Sequence, residues 1–195
     1  MPVVTGLREL RGGRIAVELD GVRWRTIPAD VVVRLRLGVG EVLDRPRLRD
    51  LARELRRARA VDTALRAVSR REQSAAELDL TLQRGGFAPG LREETLNRLE
   101  RVGLVDDERY AMRRAESLSE RGHGDEAIRW RLERDGVAGE TAAKAVAALP
   151  PERQRAQLVV AARGGGLRTA RELARRGFGE DAVEEALGHA VADAP

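Results

Sequence analysis

Few residue types in this chain could do chemistry, and each has a plainer alternative. The 195 residues hold no cysteine and two histidines, His123 and His189, and of 36 basic residues all but Lys144 are arginine. The lack of cysteine excludes a disulfide framework, an iron–sulfur cluster and a thiolate zinc site. A metal site needs about three converging ligands, and neither histidine has company at ligand spacing, so no metal is expected and both read as surface residues. Asp106-Asp107 are paired carboxylates of the kind used in acid–base work, with no further acid or histidine at the spacing a site would need. With Glu108 they fit a helix start, where free amides and the helix dipole welcome negative charge. Ser69, Ser74, Ser117 and Ser119 have no base partner. Gly122-His-Gly124-Asp-Glu-Ala127 carries the letters of a dinucleotide-binding turn, but that turn must follow a strand, and here a helical pattern precedes it. Gly164-Gly165-Gly166 lacks the Lys-Ser/Thr ending of a phosphate loop and reads as a linker. No catalytic constellation remains and no cofactor is expected, so the chain should bind rather than turn over a substrate.

What remains is arginine. Arg70, Arg71, Arg109, Arg113, Arg114, Arg121 and Arg129 gather in the middle of the chain, and Arg11, Arg14, Arg23 and Arg25 near its start. Guanidinium groups pair with carboxylates and phosphates, so the expected contacts are an acidic protein face or a nucleic-acid backbone. The plainer reading for the middle group is a solvated face balanced by Glu72, Glu108, Glu116, Glu120 and Glu133. Only Trp24, Phe87, Tyr110, Trp130 and Phe178 are aromatic, too few for a platform that stacks successive bases. Tyr110 and Trp130 sit in helical patterns with apolar neighbours and are expected to pack inside.

These side chains need elements to hold them. Alternating runs broken by Gly12-Gly13 and Asp20-Gly21 predict a small three-stranded antiparallel meander, because both turn pairs suit two-residue hairpins. Pro28 should open a short helix through Leu37, stopped by Gly38 and Gly40. From Pro46 the period becomes helical: Leu48, Leu51, Leu55, Ala58, Leu65 and Val68 mark one face of a long or broken helix. Ser74-Ala-Ala-Glu77 has capping-box spacing. The stretches ELDLTLQRGGF (77–87), AIRWRLERDGV (127–137) and ARELARRGF (170–178) repeat one design, a short helix stopped by Gly86, Gly136 or Gly177. Each has a helical pattern before and after it. The expected fold is therefore mostly all-α, with three tandem three-helix repeats forming an elongated arc behind an N-terminal β-hairpin module. The boundaries read 1–45 for that module, 46–105 for the first repeat with its leading helix, 106–150 for the second and 151–195 for the third. The longest wholly apolar stretch late in the chain, Leu158 to Ala162, is far short of the roughly 20 residues that span a membrane. The N-terminus carries Arg8 and Glu9 and no apolar run of the signal-peptide kind, so a cytoplasmic location without membrane contact is expected.

Two strings go beyond generic helix. Ser69-Arg70-Arg71-Glu72-Gln73-Ser74-Ala-Ala-Glu77-Leu78 precedes Gly103-Leu104-Val105-Asp106-Asp107-Glu108-Arg109-Tyr110-Ala111. Together they resemble the RecX regulatory protein family, whose members carry S-R-[RE]-E-x-S-x-x-E-L and then G-[YLF]-[LIV]-D-D-x-[RK]-[YF]-A. Ser119 to Gly136 is similar to the family's second unit, and the likeness runs from about Val61 to Val191, weakest in the third repeat. Gln73 and Asp79 depart from it, where the family often carries basic residues. The resemblance implies a regulator that binds the RecA filament and damps its ATP hydrolysis, strand exchange and coprotease role in the DNA-damage response. The chain is expected to be a monomer that acts by steric occupancy of the filament groove, with direct contact to single- or double-stranded DNA left open. The alternative, from the residues alone, is a helical DNA-binding or architectural protein that acts independently of RecA. Charge is uneven along the chain: residues 1–60 carry 14 basic and 8 acidic side chains, and residues 61–195 carry 22 and 24. That assigns the DNA-facing role to the N-terminal module, through Arg11, Arg14, Arg23 and Arg25, and protein contact to the repeats.

Overall fold

The structure is a computed structural model that describes residues 1–192, and side chains through residue 188. His189 and the last three residues of the third repeat lie outside the described residues. At the N-terminus Gly12 (φ 76°), Gly13 (66°), Asp20 (51°) and Gly21 (80°) are all left-handed, the paired conformation of a two-residue turn whose twist matches the strands. They join β1 (Val4–Leu10), β2 (Arg14–Leu19) and β3 (Val22–Pro28) into an antiparallel sheet of order β1-β2-β3. The pairing of β2 with β3 shifts register at Val17/Glu18, with Trp24 the extra residue on β3, and Ala16 and Val17 of the central strand are both buried. α1 (Ala29–Leu35) adds Val31 and Val32 to a core of Val4, Val17, Ile27, Leu37, Leu43 and Leu51. This helix ends earlier than expected. Arg36, not Gly38, takes the left-handed cap (φ 50°). The Leu37 N–H bonds the Val32 carbonyl at 3.0 Å while its side chain is buried, and that contact fixes the reversal at Arg36.

α2 (Arg45–Arg70) is one unbroken helix of 26 residues. No glycine or proline follows Pro46 within it, and a first-turn proline costs no hydrogen bond. Asp44 caps it by accepting the Arg47 N–H at 2.8 Å. Its buried positions are Leu51, Ala60 and Ala64. Leu65, expected on that face, is 40% exposed, and Ala64 takes the inward position.

Among the described residues eight helices follow: α3 (Ala75–Arg84), α4 (Pro89–Arg101), α5 (Asp107–Glu120), α6 (Asp125–Arg134), α7 (Gly139–Ala147), α8 (Glu152–Arg163), α9 (Leu167–Arg175) and α10 (Glu180–Ala192). They fall into the expected triplets, α2–α4, α5–α7 and α8–α10. The middle helix of each ends in one motif. Gly86, Gly136 and Gly177 have φ of 76°, 87° and 77°. The next residues, Phe87, Val137 and Phe178, donate back to the carbonyls of Leu82, Leu132 and Leu173 at 3.3, 3.0 and 3.1 Å. The glycine N–H groups bond Gln83, Glu133 and Ala174. This is the Schellman closure, which needs a residue without Cβ at its left-handed position. Leu82, Leu132 and Leu173 are fully buried, so one sequence phrase stops the helix and anchors it.

The chain forms two compact units. One comprises Met1–Ala67 with Leu82–Thr95, and the other Val68–Thr81 with Leu96 onward. Among the described residues no helix is long and apolar enough to cross a membrane.

Candidate interaction site

The second unit holds most of the central arginines, and the packing of the second repeat sets their positions. Tyr110, Ala111, Ala115 and Leu118 of α5 pack with Ile128 and Leu132 of α6, Val137, and Ala142, Ala145 and Val146 of α7. The acids before α5 cap two different helices. Asp106 accepts the Arg109 N–H of its own helix at 2.9 Å, while Asp107 accepts the Ala75 N–H at the start of α3 at 2.8 Å. The third repeat does the same with Glu152, the first residue of α8, which accepts the Asp125 N–H at the start of α6 at 2.6 Å. An acid opening each leading helix thus caps the middle helix of the repeat before it. Both are first-turn acids in sequence, and only the fold shows whose amides they serve.

Ser74 is the expected cap, accepting the Glu77 N–H at 3.1 Å, and its hydroxyl donates to the Asp135 carbonyl at 2.5 Å. Glu77 does not complete the capping box as expected. Its carboxylate is held by Arg71 through two bonds of 2.9 and 3.0 Å, a bidentate pair that outcompetes a single amide. Gly136 sits against this junction: a Cβ there would fall well within 3.0 Å of the Ala76 Cβ.

These contacts frame a cleft of about 480 Å³ in the second unit, lined by Arg71, Glu72, Glu77, Tyr110, Arg113, Arg114, Ser117, Arg134 and Asp135. Glu72 bridges Arg109 at 2.8 Å and Arg113 at 3.3 Å. Asp135 accepts the Tyr110 hydroxyl at 3.1 Å and Arg114 Nε at 3.2 Å, with Arg134 at 3.9 Å. Hydrogen bonding to Glu77 raises the Arg71 pKa above its usual value, and Glu72 does so for Arg109. The Tyr110 phenol is pushed well above its ordinary range, first by burial and then by the negative charges of Glu77 and Asp135. Trp130 is not packed as expected but 57% exposed. Ile128 and Leu132 are the inward positions of α6, and the residue midway between them points away. Arg134 lies over its ring, 5.0 Å from the centroid, so an exposed aromatic and a cleft arginine form one patch.

The expected arginines are thus only partly gathered. Arg71, Arg113 and Arg114 line the cleft and Arg109 braces it through Glu72. Arg70 is the exposed last residue of α2. Arg121 caps α5 and its carbonyl accepts from Arg176 at 3.0 Å; Arg129 is exposed on α6. Arg14, Arg23 and Arg25 are exposed on the sheet of the first unit and Arg11 in the turn after β1, with Arg25 stacked on Trp24 at 4.6 Å. Sequence reasoning missed Arg134 and Asp135, whose signal was their place at the end of α6, next to Gly136. It also missed Arg155, which is buried and joins α8 to the start of α6 through Asp125 and the His123 carbonyl. His123 itself is half-buried, and desolvation and the neighbouring Arg131, Arg176 and Arg121 lower its pKa. Among the described residues no cluster could hold a metal ion.

The chain is 37% identical over 142 residues to regulatory protein RecX of Halorhodospira halophila, covering 68% of this chain and 88% of that one. The chain belongs to the RecX family. RecX of Deinococcus radiodurans is 33% identical over 158 residues, 76% of each chain, and RecX of Chromohalobacter salexigens 34% over 138 residues, 66% of this chain and 91% of that one. A crystal structure of regulatory protein RecX superposes with a TM-score of 0.80 at 20% identity, covering 97% of this chain and all of that one. RecX from Lactobacillus salivarius gives 0.63 at 15% identity over 70% of this chain and 97% of that one. The first of these structures shares the fold over nearly the whole chain, and the second over about two thirds of it. No family model matches the chain. The RecX relatives are named regulatory proteins.

Proposed function

We propose that this protein binds the RecA–DNA filament and inhibits or modulates recombinase, ATPase and coprotease activities, using the cleft of its second unit as the protein contact. Membership of the RecX family supports the partner. The observation that carries the site is the exposed Trp130 under Arg134, at the edge of a cleft lined by three further arginines and Tyr110. Tryptophan, tyrosine and arginine are the residues that dominate binding energy at protein interfaces. A solvent-exposed tryptophan contributes nothing to the core of its own helix. The protein acts by occupancy and mass action, as a cytoplasmic monomer without cofactor or turnover. Arg113 and Trp130 are the residues to test, because both are exposed, whereas Arg71 and Arg109 also brace the fold.

The experiment is RecA assembled on single-stranded DNA with ATP, followed by ATPase rate, filament length and strand exchange. The protein lowers all three in a saturable way. Trp130→Ala weakens the effect by roughly 30-fold in half-inhibitory concentration, the ratio that corresponds to a hot spot of about 2 kcal/mol. Arg113→Glu weakens it further while helicity is unchanged. Unaltered filaments at saturating protein would refute the partner; full potency of both variants would refute the site.

A further inference from the structure

The first unit carries a second basic surface that none of the expected site residues touches. One face of α2 packs Leu48, Leu51, Leu55 and Ala58 onto the sheet core. Its other face presents Arg49, Arg53, Arg56, Arg57 and Arg59 to a groove of about 870 Å³, closed on the far side by the turn Gly85-Gly86-Phe87-Ala88 and by Leu91 and Glu94. Five arginines here face one acid of the lining. Arg57 already pairs with Glu94 at 3.2 Å and Glu54 at 2.6 Å, and Arg53 with Asp50 at 2.6 Å. Arg49 and Arg56 are exposed and, among the described residues, form no ion pair. Arg59 lies over the half-buried Phe87 ring at 5.9 Å. Gly85 makes that ring position possible, since a Cβ there would meet the ring edge at 2.8 Å.

We propose that this groove binds the backbone of a single-stranded nucleic acid, with Arg49, Arg56 and Arg59 on its phosphates. From Arg49 to Arg59 the helix rises about 15 Å, so the uncompensated charges form a track rather than a point. A polyphosphate, with one charge per unit, matches a track, and each guanidinium can take a phosphate in a bidentate grip. Phe87 adds the one ring face against which an unpaired base can lie. The floor disfavours a docked peptide helix, which needs pockets for large apolar anchors; Ala52, Gly85, Gly86 and Ala88 offer none. The proposal moves nucleic-acid contact from the hairpin arginines to α2 and does not depend on RecA.

The test is fluorescence anisotropy of a fluorescein-labelled oligo(dT) of about 15 nucleotides across a salt series, with no RecA present. Three phosphate contacts give a slope of log K against log salt of about −2, at roughly 0.7 per contact for single strands. Arg49→Gln/Arg56→Gln reduces that slope to about −0.7, with an unchanged circular dichroism spectrum. A variant carrying Arg11→Gln, Arg14→Gln, Arg23→Gln and Arg25→Gln keeps it. The proposal is overturned if the oligomer does not bind at 20 mM salt, if the Arg49/Arg56 variant binds like the parent, or if the hairpin variant loses binding. It is equally overturned if a duplex of the same length binds as tightly, or if polyglutamate at equal charge displaces the oligomer, which would make the groove an acidic-protein site. Because RecA is absent, failure here leaves the filament reading standing, and failure there leaves this one.

Discussion

Gly136→Ala isolates the interlock between the first two repeats. Two costs add at this position. The backbone is left-handed (φ 87°), where a Cβ costs about 1–2 kcal/mol. The new methyl would also fall inside the Ala76 Cβ of α3, and overpacking of a closed site costs about 1–3 kcal/mol. The sum is about 2–5 kcal/mol. Gly86→Ala supplies the reference: the same motif and nearly the same φ (76°), but nothing within 4 Å of the added carbon. It should cost only the backbone part, about 1–2 kcal/mol. The second half of the cycle is Ala76→Gly, which costs about 1 kcal/mol in helix propensity and removes the atom that collides. Combined with Gly136→Ala it should recover about 1–3 kcal/mol, read as a coupling energy between the two positions. Urea unfolding followed by circular dichroism at 222 nm measures all four species. Equal losses for Gly136→Ala and Gly86→Ala, with no coupling to Ala76, would refute the claim that the stop glycine of one repeat is also the packing surface of the one before.

Tyr110 is the only tyrosine, so ultraviolet titration near 295 nm reads it alone; its ionisation should begin well above the usual phenol range and coincide with unfolding. The sign follows from the raised folded value: its contribution to stability is complete below the unfolded pKa of about 10 and is lost as pH rises beyond it, a loss that Tyr110→Phe removes. Asp107→Ala and Glu152→Ala each delete a cap donated to the previous repeat's middle helix. Each should cost about 1 kcal/mol in urea unfolding; a loss for one and none for the other would show that the two caps are not equivalent.

Much of the fold was legible because it rests on local rules. The two hairpins follow from Gly12-Gly13 and Asp20-Gly21, and the triplets from the recurring Leu-x-x-x-Gly-apolar phrase at Leu82, Leu132 and Leu173. The errors share a cause. Trp130 was expected inside because its neighbours Ile128 and Leu132 are apolar, but they mark a face of α6 that Trp130 does not share. Glu77 was expected to finish a capping box, and a guanidinium brought from the end of α2 took it instead. Arg36 ended α1 because the burial of Leu37 decided the backbone reversal over the glycines beyond. The cleft was half legible: Arg71, Arg113 and Arg114 were named, whereas Asp135 joined them only through contacts of 21 and 25 residues' separation with Arg114 and Tyr110. The α2 groove was not legible at all, since its arginines become distinctive only when their partners are counted in three dimensions.

That count also separates the two surfaces by mechanism. At the cleft, Arg71, Arg109, Arg113 and Arg114 already hold Glu77, Glu72 and Asp135. A partner's carboxylate arriving there must displace one that is present, so the exchange returns little net electrostatic energy and releases few counterions. For the proposed contact at the cleft, affinity is then expected from desolvating Trp130 and from shape, with the charges deciding which partners fit. On α2, Arg49 and Arg56 form no ion pair among the described residues, and a polyanion that replaces their counterions gains the release as entropy. If both proposals hold, two arginine sets of similar size should differ in thermodynamic character: partner binding at the cleft should tolerate salt, and polyanion binding on α2 should be abolished by it. The number of arginines distinguishes neither; the number of carboxylates within reach of them distinguishes both.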